Sequence, residues 1–491
     1  MRGHRWAVAV VLTALVVGPG MPDVQAAGGP SITLSPAHGL PGAQVRLAGT
    51  GFTPGAQMAV GWLSEDGKYK TKADKGMVTW SGVEYQPAPT LLGRAVADSQ
   101  GRIAVAFTAP EDLWGPHQVA AVLDGRQVAQ ADFHVEFGAA MTPTSGPVGT
   151  PIEVVVHGMA PAPWNTSAIR YDNRYLGFVS AVTTRGVARA RFRAAGAPGP
   201  HAVQFDVASA GTPYLNPQQG AGCTILHLCI DRTWTFTVTA GGAVPPNRLE
   251  WPDPARVARL SQDAARAMVA TSEPAQGVSL AVTPAAGPVL STFAVAATGL
   301  PGGSTADIVW ATMGAGNRMT GMSPVVTNRL VAAAAKPDGS LARQLTVPDD
   351  LGGWHMLQLV QHGKVLASAP YFVQRSLVAV APARVKPGER FKVEIKGIGW
   401  TELDNGVAVT YDNGYEGYAC GFNSRGDVAV YLTATGGPGV HLIDLYPMIY
   451  EGKDRTVLTY QVPHLTVLDD GPGLALGYAL PVFRLAVVVA P

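Results

Sequence analysis

The residues best suited to direct chemistry form two copies of one string, Tyr171-Asp172-Asn173 with Tyr175 and Tyr411-Asp412-Asn413 with Tyr415. A tyrosine ring offers a stacking face, and Asp and Asn offer directional hydrogen bonds, as sugar or peptide recognition requires. The same strings also read as β-hairpin turns, with Asn413-Gly414 the strong turn signal. His117, His201, His355 and His441 each stand two residues after a glycine. Imidazole suits zinc or copper, but each of these heads a strand of a separate repeat, so the four cannot converge on one ion and are expected to be structural. Cys223 and Cys229 share a loop and are expected to form a disulfide in an oxidising compartment. With His227 they would supply three metal ligands, but the spacing matches no zinc pattern and a fourth ligand is missing, so no metal is expected. Cys420 is expected as a buried thiol. Arg425-Gly426-Asp427 spells an integrin-ligand tripeptide, yet Arg185-Gly186-Val187 holds the matching place without the acid, which assigns Arg-Gly to a turn.

No nucleophile elbow, zinc-protease helix, phosphate loop or dinucleotide fingerprint occurs, so neither enzymatic activity nor a cofactor is expected. The alternative is an exported hydrolase whose site is assembled between modules, because a triad is set by geometry rather than by order.

These groups need elements to hold them, and repetition shows which. Pro/Gly openings at Ser35-Pro36, Thr142-Pro143, Thr283-Pro284 and Ala381-Pro382 each lead into an alternating strand. Closings at Gly115-Pro116-His117, Gly199-Pro200-His201, Gly353-Trp354-His355 and Gly439-Val440-His441 follow. The second and fourth repeats align without a gap, whereas the first and third share Pro110-Glu111-Asp112-Leu113 with Pro348-Asp349-Asp350-Leu351, and Trp62 with Trp310. The fold class is therefore all-β: tandem β-sandwich modules, four in A-B-A-B order, with one short helix between the two pairs. Hydrophobic residues at 47%, with 58 glycines and 39 prolines spread among them, fit many short strands and tight turns. A net charge of +1 with 14% charged residues provides no field for nucleic acid.

The pattern Gly49-Thr50-Gly51-Phe52-Thr53-Pro54-Gly55, a turn at Asp98-Ser99-Gln100-Gly101 and then Gly115-Pro116-His117 resembles the immunoglobulin-like modules of secreted bacterial proteins, close to the IPT/TIG group. That resemblance implies sandwiches of about seven strands, no catalytic residues, and a non-catalytic scaffold or adhesion role at the cell surface or in the envelope, with a protein or a glycan as partner. It also implies that each repeated histidine bonds back to the backbone near the start of its strand, as a tyrosine does in such sandwiches. A glycan- or peptide-binding protein using the Tyr-Asp-Asn hairpins is the second reading.

The expected organisation is a signal peptide at 1–26, modules at 30–136, 137–240, 277–374 and 375–468, and an apolar tail at 473–491. Charged Arg2 and Arg5 precede an apolar run from Trp6 to Val17, too short for the about 20 residues that span a bilayer, so the chain is expected to be exported. The linker 245–274 reads as an amphipathic helix begun at Asp253-Pro254 or as a mobile connection. The tail reads as a strand, Phe483 to Val489, or as a membrane-associated segment with Arg484 in its middle.

Overall fold

A computed structural model describes residues 29–491 apart from 75–76, 162–165, 210–211, 220–231, 254–275, 315–324, 422–423, 450–460, 476 and 478. The expected signal peptide, Cys223 with Cys229, and most of the expected linker helix lie outside the described residues.

Alternation along the chain becomes burial. Gln44–Thr50 and Thr292–Thr298 each bury every second side chain, as a strand with one face on a core must. In the first module Ser31–Ser35, Gln44–Thr50 and Ile103–Thr108 form one sheet. Facing it, a second sheet runs in the order His38–Gly39, Arg126–Val135, Gly115–Leu123, Gln57–Trp62, Thr90–Val96. The same pair of sheets recurs in three further stretches of the chain, so the protein is all-β with sandwiches in series. The X–Pro bond at each opening is cis.

The fourth sandwich corrects the expected boundaries. Val482–Val489 pairs antiparallel with Gly439–Pro447, from Gly439↔Val489 to Leu445↔Phe483, and so completes the sheet that also holds Gly406–Tyr411 and Gly414–Cys420. The tail set apart at 473–491 thus supplies a strand of the module placed at 375–468. Its apolar side chains are buried inside the protein, which leaves no lipid-facing side for the membrane-associated reading. Among the described residues no helix is long and apolar enough to cross a membrane. Arg248–Glu250, from the expected linker, pairs with Val482–Val489 on its other side. The chain leaving the second module therefore first adds a strand to the fourth.

Cores follow the sandwiches with one exception. Trp62 and Phe133 anchor the first, Trp310 and Tyr371 the third. The second core takes in Tyr446, Leu465, Leu468 and Val482, residues far along the chain, so the second and fourth modules share apolar interior.

Each pair is locked by a repeated seam. Trp114 N donates to Met159 O (3.1 Å), and Gly352 N to Ile398 O (3.0 Å). Met159 N then donates to Gly186 O, as Ile398 N does to Gly426 O. Gly186 has φ of 76°, and a Cβ there would stand 2.4 Å from Asp112 O. The glycine of the Arg-Gly turn is thus buried against the preceding module, and in the second pair the exposed Arg425 and Asp427 pair with Asp350 (3.6 Å) and Lys396 (2.8 Å). Gly186→Ala is expected to lower unfolding free energy by about 1–3 kcal/mol through backbone strain and overpacking. Gly437→Ala, where a Cβ meets nothing within 4 Å, should stay within about 0.5 kcal/mol. Denaturant titration of both variants measures the difference.

Candidate functional site

The two Tyr-Asp-Asn strings are hairpin turns, as their sequence also allowed, but their central pair is Asp-Asn. Asp172 and Asn173 have φ of 50° and 63°, Asp412 and Asn413 of 45° and 60°, the double left-handed geometry of a tight two-residue hairpin. The fourth module's turn is therefore one residue earlier than Asn413-Gly414 suggested. Gly414 instead opens the next strand, where a Cβ would lie 1.9 Å from the Arg174 guanidinium.

The tyrosines expected to offer a stacking face are turned inward. Tyr171 and Tyr411 are 2% and 5% exposed, and their hydroxyls donate to Ala195 O (2.8 Å) and Thr435 O (3.0 Å). Each ring stacks on the histidine of its own module, Tyr171 on His201 and Tyr411 on His441, with centroids 5.5 Å apart in both. Asp172 and Asp412 bond these histidines at Nδ1 (2.5 Å each) and accept the backbone N–H of Ala202 and Leu442 (2.9 Å each). Tyr175 and Tyr415 meet edge to face across the seam between the second and fourth modules, 6.1 Å apart. Asn413 donates to Arg193 O (2.7 Å), and Arg174 Nη2 to Tyr411 O (3.0 Å). The hairpins dock on each other, so their aromatic and amide groups are occupied within the chain.

All four repeated histidines donate from Nε2 to the carbonyl four residues earlier: His117 to Leu113, His201 to Ala197, His355 to Leu351 and His441 to Gly437, at 2.7–2.8 Å. In the first and third modules the stacking partner is Trp62 or Trp310, and the indole N–H donates to Asp112 (2.7 Å) or Asp350 (3.0 Å). An aromatic ring, a carboxylate and a histidine thus recur in every module, with the acid drawn from different positions. The shared Pro-x-Asp-Leu string was the available signal for Asp112 and Asp350. Their role emerges only once Trp62 and Trp310 are placed beside them.

Protonation follows from these partners. Burial lowers the His201 and His441 pKa values, but a carbonyl at Nε2 and a carboxylate at Nδ1 outweigh it and hold both above the ordinary value. Burial wins at His355, which is wholly removed from water, and its pKa falls.

Two polar networks join the modules. Asp444 is 2% exposed and receives Arg193 Nη2 from the second module and Arg484 Nη1 (3.1 Å) from the last strand. Arg484 also reaches Glu250 (2.6 Å), Tyr446 OH (2.7 Å) and Arg191 O (3.0 Å). The second network centres on Asp470. It accepts Ser180 Oγ (2.6 Å), Tyr69 OH (2.9 Å), Val182 N (3.1 Å), and both N and Oγ1 of Thr183 (2.9 and 2.6 Å). Tyr69 arrives on a two-stranded ribbon, Glu65–Asp74 and Met77–Pro87, that belongs to the first module. Ser180 Oγ also lies 2.8 Å from His464 Nε2, a nucleophile–base distance. The hydroxyl proton, however, goes to Asp470, and burial pushes His464 down to about 4. The cavity beside this pair is about 30 Å³, room for water and not for a substrate.

A cleft of about 600 Å³ opens where the first, second and fourth modules meet, lined by Asp66, Glu111, Arg185, Arg189 and Asp469 with apolar Val187 and Leu474. Arg185 Nε donates to Asp66 (2.6 Å), and His157 pairs with Glu111 (3.0 Å), so the rim carries both signs of charge. Cys420, expected to be buried, is half-buried on an edge strand. No group of three or more metal-ligating side chains occurs among the described residues.

No protein-family model and no curated protein matches the chain. Among solved structures it is similar to a tetra-tandem repeat from the extending region of a large adhesion protein, at 12% identity and TM-score 0.20 over 94% of this chain and 99% of that one. It is also similar to invasin, a bacterial integrin-binding protein, at 11% identity and TM-score 0.18 over 85% and 76% of the two chains. A four-domain ectodomain fragment of ICAM-5 gives 12% identity and TM-score 0.17 over 94% and 99%. These scores lie far below those of chains sharing an overall arrangement, and the sandwich assignment rests on the strand pairing itself.

The histidines carry a test. In an NMR pH titration His201 and His441 should titrate above the ordinary histidine value, and His355 and His464 below it. The first pair contributes stability that is whole below the ordinary value and is lost as pH rises through the raised ones. The second pair removes stability as pH falls below the ordinary value, because the unfolded chain takes up protons that the fold refuses. For the other network, Asp444→Asn leaves two buried guanidiniums short of charge and should cost about 3–5 kcal/mol in denaturant unfolding.

Proposed function

We propose that the chain is an exported, non-catalytic scaffold of the cell surface or envelope, whose immunoglobulin-like modules are fixed against one another to display a binding cleft. The observation that carries this reading is the internal bonding of the seams around the second module. The groups able to do chemistry at the junctions, Asp444, Asp470, Ser180 and the paired hairpins, are occupied by internal hydrogen bonds that hold the modules in one arrangement. Modules held this way set the spacing and angle of whatever loops they present, which a flexible string of domains would not do. The three-module cleft is the surface such an arrangement creates, and its mixed charges with an apolar patch suit a polar segment of a surface protein or a glycan.

A second reading, acyl transfer by Ser180 with His464 as base, is favoured by their 2.8 Å contact. Against it stand the carboxylate that already takes the hydroxyl proton and the absence of room beside the pair.

One pair of measurements separates the readings. The purified mature chain is assayed against esters, peptides and glycosides, and is applied to arrays of glycans and surface proteins. The scaffold reading expects no turnover and at least one saturable interaction, weakened about tenfold by Arg189→Glu in the cleft. Turnover abolished by Ser180→Ala would overturn it in favour of the hydrolase.

A further inference from the structure

A smaller cavity of about 220 Å³ lies between the second module's sheet and the strands Arg248–Glu250 and Val482–Val489. Its lining includes Arg191, Arg193, Arg248 and Arg484, against Glu153 and Glu250. In a chain with a net charge of +1 and only 14% charged residues, four guanidiniums in one cavity are a local concentration that global composition does not produce.

Three of the four are fixed. Arg193 is 4% exposed and bonds Asp444 and Leu485 O (2.7 Å). Arg484, 2% exposed, is held by Glu250 and Asp444. Arg191 spans Glu153 and Asp469, at 3.0 Å to each. The fourth, Arg248, has no ion pair or hydrogen-bond partner among the described residues. Both carboxylates of the lining are already committed, Glu153 to Arg191 and, at 3.9 Å, Arg189, and Glu250 to Arg484, while Asp444, outside the lining, is shared by Arg193 and Arg484. Four arginines thus line the cavity against two glutamates, and the positive charge without a partner among the described residues falls on Arg248.

We propose that this cavity binds an oxyanion, a phosphate or sulfate group, with Arg248 as its principal ligand and Arg191 beside it. Guanidinium groups match tetrahedral oxyanions through paired N–H donors, and the fixed positions of the other arginines mean that little conformational freedom is lost on binding. The volume is below the roughly 300 Å³ of a drug-sized site, so the group arrives alone or on a carrier no larger than a monosaccharide. The ligand also bridges two modules, because Arg191 belongs to the second and Arg248 extends the sheet of the fourth.

Calorimetric titration of the full mature chain at constant ionic strength tests the site with three probes: sodium phosphate, sodium sulfate and glucose 6-phosphate, with chloride and acetate as references. Saturable binding of a tetrahedral oxyanion is expected, with no saturable response to chloride. Tighter binding of the sugar phosphate than of inorganic phosphate identifies a carried group, and equal binding identifies a free ion. Arg248→Gln should weaken binding about tenfold or more, the loss of one charged hydrogen-bonding partner. Its ligand-free unfolding midpoint should match wild type, because the Arg248 side chain makes no ion pair or hydrogen bond among the described residues. Absence of saturable binding by all three probes, or wild-type affinity in Arg248→Gln, overturns the proposal.

Discussion

A single carboxylate, that of Asp444, stands between two buried guanidiniums that come from distant parts of the chain. Arg193 projects from the second module and Arg484 from the last strand of the chain, and both are almost wholly removed from water. Two such cations would repel and could not be desolvated alone. The carboxylate makes their burial possible, and it can do so only when the second and fourth modules are docked. Such a cluster adds little net stability over apolar packing of the same volume, but it is intolerant of misalignment. The apolar contacts of Tyr446, Leu465 and Val482 supply the area, and the charges decide the register.

The arrangement is possible because the two halves, though repeated, are not equivalent at the seam. Thr433 occupies the place in the fourth module that Arg193 occupies in the second, and Gln204 stands where Asp444 stands. Gln204 is used locally, donating to Asn173 (2.8 Å). The ion pair can therefore form in one sense only, with the arginine from the second module and the acid from the fourth. The repeated hairpins follow the same logic: Tyr175 and Tyr415 are equivalent by sequence and meet edge to face, while Arg174 reaches across to Tyr411 O and Glu416 on one side alone.

Much of the sandwich was legible because its rules are local. Alternation in Gln44–Thr50, the Pro/Gly openings and the Gly-x-His closings each require only neighbouring residues to be interpreted. The histidines could be read as structural because each heads a strand of a separate repeat, and the carbonyl each one bonds lies four residues away. The candidate site was not legible in this way. Tyr171-Asp172-Asn173 has the composition of a binding loop, and nothing nearby in sequence says that a matching hairpin far along the chain will cover it. The tail shows the same boundary. Arg484 was visible as a charge too costly for a bilayer centre, but its partners, Asp444 and Glu250, come from two other strands and are known only after folding.

The repeated ring–acid–histidine cluster shows how one local demand accepts two solutions. An indole N–H projects from the edge of a wide ring and needs an acceptor beside it, which Asp112 and Asp350 provide from the loop preceding the histidine strand. A tyrosine hydroxyl lies at the far end of a narrower ring and reaches the carbonyls of Ala195 and Thr435 directly. The acid is then unnecessary in that loop and moves to the hairpin turn, where it bonds the other face of the histidine. One substitution of ring type thus decides whether a hairpin carboxylate bonds Nδ1 of the neighbouring imidazole at 2.5 Å, while Nε2 keeps its carbonyl in every module. The raised pKa of His201 and His441 and the lowered pKa of His355 therefore trace to how far each aromatic side chain can carry its single polar hydrogen.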